Sequence, residues 1–255
     1  MELLPTVRIL GLPLYNGPAP RAVDWIVEHG GLMTVPSAPC MIQASRDPAF
    51  FEAMASSRLI LPDSGYMTLI WRLRRGERIN RVSGYEFLEY FLPRAELRDS
   101  GALFRIEPGE SAADIHTAFL REQGILATEE DQYLAPMYPR DKVEDPALLE
   151  RILERRPKYV LINLGGGVQE FLGAYLQRGW EARYPGERVP SLLCTGGAIG
   201  FFSASQVRIP RWADRLFLGW LVRTLSDPMR FGPRFAKSFV LGTILLRWGA
   251  RRPHA

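Results

Sequence analysis

The residue with the clearest chemical potential is Asp63. It directly follows the short apolar segment Arg58–Leu61 and lies in a turn that contains Pro62 and Gly65. A carboxylate at the end of a buried strand would face a ligand crevice, where it could remove a proton from a sugar hydroxyl as a general base. An aspartate between a strand and a helix also suits a cap of the helix N-terminus. Both interpretations of Asp63 stay open at this point.

A run of glycines forms the second candidate site. It follows the apolar segment Tyr159–Leu164 and precedes a predicted helix that reaches about Arg178. Glycines ahead of a helix let backbone N–H groups approach a diphosphate, and the helix dipole favours the anion. An ordinary tight turn is the alternative, since the run lacks the GxGxxG pattern of dinucleotide-binding proteins. The residues of this site are Gly165, Gly166, Gly167, Gln169 and Glu170, and a similar, smaller turn contains Thr195, Gly196 and Gly197.

The sequence contains no motif for a metal site and no motif for a serine nucleophile. His29, His116 and His254 lack the spacing of metal ligands, and no Asp-x-Asp pair is present to hold a divalent ion against a diphosphate. The GxSxG pattern of a serine nucleophile is also absent. We therefore expect no metal and no cofactor, and we expect Cys40 and Cys194 to be small core residues.

These candidate residues lie between alternating predicted strands and helices. The alternation predicts an α/β fold with a Rossmann-like parallel sheet flanked by helices, in which ligands bind at the carboxyl ends of the strands. Asp47 and Ser83 are predicted helix N-caps. The predicted strands are Val7–Leu12, Leu32–Val35, Arg58–Leu61, Ala102–Ile106, Tyr159–Leu164 and Leu192–Cys194; predicted helices include Pro20–His29, Ser111–Gln123 and Pro146–Arg155.

Length and composition are those of a folded domain. The chain has 255 residues, of which 47% are hydrophobic and 24% charged, and it has only two cysteines. This composition argues against disorder and against a disulfide scaffold, and it suits a reducing cytosol. We expect neither a secretory signal nor a membrane span, because no apolar run reaches the roughly 18 residues that a span needs.

Positive charge is concentrated in the C-terminal fifty residues. Residues 206–255 contain ten Lys or Arg and two Asp, whereas the net charge of the whole chain is +4. We therefore predict an α/β catalytic domain over 1–205 and a basic helical appendage over 206–255. Arginine, tryptophan and leucine at helical spacing are typical of a helix in the headgroup layer of an anionic bilayer. An ordinary pair of terminal helices with a solvated basic face and nucleic-acid binding are the alternatives.

Three parts of the sequence resemble, in order, motifs of the WecG/TagA/CpsF family of bacterial glycosyltransferases. The first part combines LPDSG at 61–65 with RVSG at 81–84, and the second is LGGGVQE at 164–170. The third combines GG at 196–197 with RIPRW at 208–212, GWLVR at 219–223 and DPMR at 227–230. The third part is the most specific, because several rare residues recur there at fixed spacing.

The resemblance implies a specific activity. A sugar would move from a UDP-sugar to a polyprenyl-diphosphate-linked sugar, with inversion and without a metal, at the cytoplasmic face of the inner membrane. The products would serve surface polysaccharide or teichoic acid synthesis. The resemblance implies Asp63 as the base, Gln169 as a second catalytic residue and Arg81 as a substrate-binding residue. It also implies that the appendage binds the nucleotide diphosphate and docks on lipid through Arg208, Arg211, Arg223 and Arg230.

The chain departs from the family pattern at positions close to the implied sites. Ser37 stands where the family usually has Asn, Val168 replaces a Lys, and Gly219 replaces a Glu. A binding or scaffold protein with weakened activity is therefore an alternative function. A Rossmann-type oxidoreductase is a second alternative, which the absence of GxGxxG disfavours. The predicted partners are the UDP-sugar, the lipid-linked acceptor and an anionic membrane rather than nucleic acid, and a homo-oligomer stays possible.

Overall fold

A computed structural model describes residues 4–139, 143–202 and 239–253 of the chain. Its strands are β1 (Thr6–Ile9), β2 (Leu12–Tyr15), β3 (Gly31–Thr34), β4 (Leu59–Ile60), β5 (Leu103–Glu107), β6 (Gln132–Leu134), β7 (Tyr159–Ile162) and β8 (Ser191–Cys194). Six of them form one sheet in the order β4-β3-β8-β7-β5-β6, and each neighbouring pair is parallel. The structure thus confirms the predicted parallel sheet.

Helices cover both faces of this sheet. They are α1 (Ala19–His29), α2 (Ala38–Ala44), α3 (Pro48–Ala55), α4 (Gly65–Arg75), α5 (Gly84–Phe91), α6 (Glu110–Glu122), α7 (Pro146–Arg155), α8 (Gln169–Arg183) and the part of α9 that is described, residues 239–248. The predicted caps are confirmed. The Asp47 carboxylate accepts hydrogen bonds from the N–H groups of Ala49 and Phe50, and the Ser83 hydroxyl accepts one from Glu86 N.

The alternation of side chains along the strands explains why both faces are apolar. In β7, Tyr159 and Leu161 belong to a cluster with α1 and α5, whereas Val160 and Ile162 belong to a cluster with α7 and α8. All four side chains are buried. Successive residues of a strand point to opposite faces, so a strand that is apolar throughout needs cover on both sides. This arrangement is the predicted α/β fold.

The prediction of a single strand over Val7–Leu12 is wrong. The structure has an antiparallel hairpin there, in which Ile9 of β1 pairs with Leu12 of β2 in a separate two-stranded sheet. The chain reverses at Leu10 and Gly11, which both have positive φ. The turn was hidden because Leu10 is apolar and buried, so the sequence shows no polar break. The prediction also lacked β2, α2 and β6.

Residues 239–253 pack against the α/β domain. Leu241 and Leu245 of α9 are fully buried in a cluster that includes the β1–β2 hairpin and α4. The N–H groups of Leu10 and Gly11 donate to the carbonyl oxygens of Gly249 (2.8 Å) and Ala250 (3.0 Å). The division of the chain at 205/206 stays a prediction, because residues 203–238 lie outside the described part.

Candidate functional site

The carboxyl edge of the sheet brings the predicted site residues together. Because the strands are parallel, the segments that leave β4, β3, β8 and β7 emerge at the same edge, in that spatial order. Neighbouring strands lie about 4.8 Å apart, so the four strand ends span roughly 14 Å. The segments carry, in turn, Asp63, Ser37, Thr195 and Gly165. We call this edge the candidate site.

Asp63 is accessible and does not cap the following helix. Its side chain is 33% exposed. The N-cap of α4 is Ser64, whose hydroxyl accepts a hydrogen bond from Met67 N at 3.2 Å. The interpretation of Asp63 as a helix cap is therefore wrong. The serine next to it does the capping, and the Asp63 carboxylate stays at the edge of the sheet.

Arg81 holds the turn that contains Asp63. Its Nε donates to the backbone oxygen of Asp63 at 2.7 Å, and its Nη2 lies 3.7 Å from Asp63 Oδ1. The next residue, Val82, donates its N–H to the oxygen of Pro62 at 3.2 Å. The Arg81 side chain thus ties both the backbone and the carboxylate of Asp63 to the segment at 81–84. The two segments LPDSG and RVSG thus form one structural unit.

This unit packs against the turn after β8. Gly84, the last residue of RVSG, lies so close to this turn that a Cβ there would be 2.9 Å from the carbonyl oxygen of Thr195 and 3.2 Å from Ala198 Cβ. Glycine is required at position 84 by this close approach. Thr195 itself is buried, and its hydroxyl finds no hydrogen-bond partner within the described ranges. Asp63 and the turn at 195–197 are therefore parts of one site.

Gln169 and Glu170 hold the backbone of the two glycine turns. Glu170 Oε2 accepts a hydrogen bond from Gly167 N at 2.7 Å, and its Oε1 accepts one from Gln169 Nε2 at 3.3 Å. Gln169 Oε1 accepts a third from Gly196 N at 2.9 Å, which joins the turn after β7 to the turn after β8. Both side chains are buried. They act on the backbone of the turns, whose glycines Gly165 and Gly166 are exposed.

Burial sets the electrostatics of this part of the site. Loss of solvation raises the pKa of the Glu170 carboxyl, and the hydrogen bond from Gly167 N–H partly opposes that rise. Burial likewise raises the pKa of the Cys40 thiol to about 12. Cys40 Sγ lies 3.3 Å from the hydroxyl of Ser37, and a Cβ on Gly166 would be only 2.7 Å from the same sulfur. Cys40 and Cys194 are buried free thiols, as predicted.

Sequence reasoning missed a buried polar network beside the glycine turn. Glu107, at the carboxyl end of β5, accepts a hydrogen bond from Asn163 Nδ2 at 3.0 Å, and its Oε2 lies 2.8 Å from His116 Nδ1. Arg105 Nη1 is 3.7 Å from the same carboxylate. The signal was present in the sequence, since Arg and Glu interrupt an otherwise apolar strand, LFRIE. Buried charges of this kind are normally paired.

The four arginines that the family resemblance assigns to the diphosphate lie outside the described residues, so their placement stays a prediction. They are Arg208, Arg211, Arg223 and Arg230. Within the described ranges, no group of three or more His, Cys, Asp or Glu side chains could hold a metal ion. No helix of those ranges is long and apolar enough to cross a membrane.

Comparisons with known proteins identify the family of the chain. A model of the glycosyl transferase WecG/TagA/CpsF family matches residues 7–254. An N-acetylglucosaminyldiphosphoundecaprenol N-acetyl-beta-D-mannosaminyltransferase of Bacillus subtilis (strain 168) is 24% identical over 234 residues, which cover 89% of this chain and 86% of that protein. A protein of the same name from Bacillus spizizenii is 24% identical over 191 residues, 74% of this chain and 68% of the relative.

Proposed function

Because the chain belongs to the WecG/TagA/CpsF family and is a glycosyltransferase, we propose that it moves a sugar from a UDP-sugar to a polyprenyl-diphosphate-linked N-acetylglucosamine. The acceptor follows the names of the two Bacillus relatives. The same names make an N-acetylhexosamine the first donor sugar to test. The uridine diphosphate carrier and the inverting course of the reaction are what the family resemblance of the motifs implies.

The observation that carries the proposal is the position of Asp63. Its carboxylate lies at the carboxyl edge of the sheet, is one-third exposed, and has no capping role because Ser64 has taken it. A general base must come within hydrogen-bond reach of the hydroxyl whose proton it takes, so its carboxylate has to be accessible to the acceptor. Arg81 lies beside this carboxylate, with its Nη2 3.7 Å from Asp63 Oδ1.

The proposed reaction is a single displacement at the anomeric carbon. Asp63 takes the proton of the acceptor hydroxyl while that oxygen forms a bond to the anomeric carbon from the side opposite the diphosphate. The bond between the anomeric carbon and the diphosphate oxygen breaks, both of its electrons leave with UDP, and the sugar configuration inverts. Negative charge accumulates on the diphosphate, where fixed N–H groups and guanidinium groups would stabilise it.

The residues for that stabilisation are proposed from two parts of the chain. The exposed backbone of Gly165 and Gly166 offers close approach to a diphosphate, and Glu170 and Gln169 fix the conformation of the turn. The predicted appendage supplies the guanidinium groups of Arg208, Arg211, Arg223 and Arg230. We propose that these groups take the place of a divalent ion, since the sequence has no Asp-x-Asp pair. The enzyme would work as a peripheral protein at the cytoplasmic membrane face.

A transfer assay with defined substrates tests the proposal. The full chain is incubated with a panel of UDP-sugars and N-acetylglucosamine on a short-chain polyprenyl diphosphate, with and without EDTA. We expect one UDP-sugar to give a product heavier by one sugar residue, equal UDP release, and the opposite anomeric configuration by NMR. Binding of UDP-sugar without transfer from any donor would instead favour the scaffold alternative, and a product of unchanged configuration would contradict inversion.

A further inference from the structure

Two helices present exposed apolar side chains next to each other. Leu69 and Leu73 of α4 are 41% and 75% exposed, and Phe239 and Leu246 of α9 are 57% and 58% exposed. Leu69 and Leu73 are one turn apart and share a face of α4; Phe239 and Leu246 are two turns apart and share a face of α9. We call these four side chains, with the arginines around them, the α4–α9 surface.

Contacts near both ends of α4 place these faces side by side. Near the start, the rings of Tyr66 and Phe239 meet edge to face with centroids 5.6 Å apart. Near the end, Arg74 Nη1 donates to the carbonyl oxygen of Leu245 at 2.8 Å. The helices therefore run parallel in contact. Leu69 and Leu73 lie between these two contacts along α4, and Leu246 directly follows the residue that Arg74 binds.

The exposed charges on these two segments are mostly positive. Arg72 and Arg75 of α4 are exposed, as are Arg247 and Arg251 at the end of α9. Residues 239–253 contain no acidic residue, and the only acid in 65–78 is Glu77, which already accepts a hydrogen bond from Trp71 Nε1 at 3.0 Å. Exposed leucine and phenylalanine with exposed arginines on the same segments suit the headgroup layer of an anionic bilayer.

Leu126, an exposed apolar residue elsewhere in the molecule, lacks this charge pattern. Leu126 is 50% exposed and Met137 97% exposed, at the opposite end of the sheet next to β6. The sequence around Leu126 carries Glu122, Glu129 and Glu130, which are exposed and would be repelled by anionic lipid. Exposure of apolar area alone therefore does not single out a membrane surface, whereas exposure combined with complementary charge does.

We propose that the α4–α9 surface binds the headgroup layer of an anionic membrane. The inference deepens the proposed function, on which its biological meaning rests, because α4 begins at Gly65, two residues after Asp63. A bilayer against α4 would then lie beside the candidate site, where a lipid-linked acceptor must present its sugar. The α4 part of this surface belongs to the α/β domain, outside the basic segment that the sequence predicts as the membrane-docking part.

Vesicle binding by the full-length chain tests this inference. Affinity is measured by flotation with two kinds of vesicle. One contains phosphatidylcholine alone, and the other also contains about 30% phosphatidylglycerol, which is anionic. The test pairs are Leu69→Ser with Leu73→Ser and Arg72→Gln with Arg75→Gln. The matched control pairs are Leu126→Ser with Met137→Ser and Arg178→Gln with Arg183→Gln. All of these side chains except Leu69 and Leu126 are more than half exposed or polar, so we expect every variant to fold, which circular dichroism verifies.

The expected losses are specific to the α4–α9 surface. An arginine near an anionic bilayer contributes about fivefold in affinity, so the arginine pair should lose roughly 25-fold on phosphatidylglycerol vesicles. The leucine pair should lose about tenfold, from the apolar area that it no longer buries. The control pairs should stay within about twofold of the wild type. The wild type should bind vesicles of pure phosphatidylcholine more weakly than vesicles that contain phosphatidylglycerol.

Two results would overturn the inference. One is wild-type vesicle affinity in both test pairs. The other is a change from dimer to monomer in the leucine pair with unchanged vesicle affinity, because the surface would then bind a second copy of the chain. Failure of the proposed function would appear in the transfer assay and not in this one, because vesicle affinity is measured without any sugar donor. Asp63→Asn should bind vesicles like the wild type whatever its effect on transfer.

Discussion

Two carboxylates at the same edge of the sheet have opposite surroundings. Asp63, after β4, is one-third exposed and lies beside the Arg81 guanidinium, while Ser64 next to it caps the following helix. Glu170, after β7, is fully buried, and its oxygens accept hydrogen bonds from Gly167 N and Gln169 Nε2. The first carboxylate is partly accessible. The second carboxylate holds the turn after β7 through its hydrogen bonds.

The comparison shows that different side chains at one edge of the sheet can hold the turns and remain accessible to a ligand. Strand ends at this edge need side chains that hold the turns, and they also need a group that is available to substrate. Here Ser64, Gln169 and Glu170 satisfy backbone N–H groups, so Asp63 is not required for that purpose. Substitution of Asp63 should therefore lower turnover without loss of stability, whereas substitution of Gln169 should lower the stability of the fold as well as activity.

The largest expected effect is on turnover, for Asp63→Asn. Asparagine keeps the shape of the side chain but cannot accept a proton, and general-base catalysis typically contributes 10²–10⁴-fold. We expect kcat to fall by about 10²–10³-fold, with little change in the KM for the UDP-sugar and an unchanged melting temperature. Steady-state kinetics with the lipid-linked acceptor and thermal unfolding measure these quantities. Asp114→Asn, on the exposed face of α6, is the control, and unchanged turnover at position 63 would remove Asp63 from the base role.

The next largest effect should come from Gln169→Ala, which removes the acceptor of Gly196 N–H. We expect a loss of about 1–3 kcal/mol in the free energy of unfolding and about tenfold in kcat/KM, because two turns of the candidate site are no longer joined. Gln177→Ala is a matched control on the same helix. The Gln177 side chain is also buried, and it bridges Leu32 N (2.7 Å) and the oxygen of Ser56 (3.1 Å), away from the carboxyl edge.

The two glutamine variants sharpen the comparison when they are measured together. Denaturant unfolding gives their stabilities, and kinetics below the unfolding transition give their activities. We expect similar losses of stability but a loss of kcat/KM in Gln169→Ala alone. Equal activity in the two folded variants would show that the link between Gln169 and Gly196 supports only the fold.

A smaller effect distinguishes neighbouring glycines of the turn after β7. A Cβ at Gly166 would be 2.7 Å from the buried Cys40 sulfur, whereas a Cβ at Gly165 would meet nothing within 4 Å. Gly166→Ala should therefore cost about 1–2 kcal/mol in the free energy of unfolding. Gly165→Ala should leave stability unchanged and raise the KM for the UDP-sugar a few-fold, because the methyl group occupies the proposed approach of the diphosphate. An unchanged KM in Gly165→Ala would place the diphosphate elsewhere.

The sequence was sufficient to predict features that depend on local patterns. The continuous apolar run of β7 indicated a strand covered on both faces, and the Asp47 and Ser83 caps were visible as helix-start residues. Parallel topology then placed Asp63 and the glycine turns at one edge without further information. These predictions succeeded because the physical cause of each feature lies within about ten residues of chain.

Features that depend on contacts between distant parts of the chain could not be predicted from local sequence patterns. Aspartate and serine both cap helices, so the choice between Asp63 and Ser64 depends on the geometry of the turn after β4. The contact between Gln169 and Gly196 joins residues 27 positions apart in the chain. His116 looked like a scattered histidine because its partner, Glu107, lies on a different element. Each of these assignments required the neighbouring strand to be in place.

The smallest expected effect concerns the pH dependence of stability in Glu170→Gln. Burial raises the pKa of Glu170 in the folded chain above its ordinary value of 4.5, so the folded state binds this proton more tightly than the unfolded state. The resulting stabilisation is complete below the unfolded pKa and is lost as the pH rises through the folded pKa. Glutamine keeps one acceptor oxygen, which can receive the Gly167 N–H, and it has no proton to release. Denaturant unfolding should therefore show that the wild type loses stability relative to Glu170→Gln as the pH rises from the unfolded pKa through the folded pKa. If the plots of unfolding free energy against pH were parallel for the two proteins, the N–H donors would stabilise the buried carboxylate as well as water does.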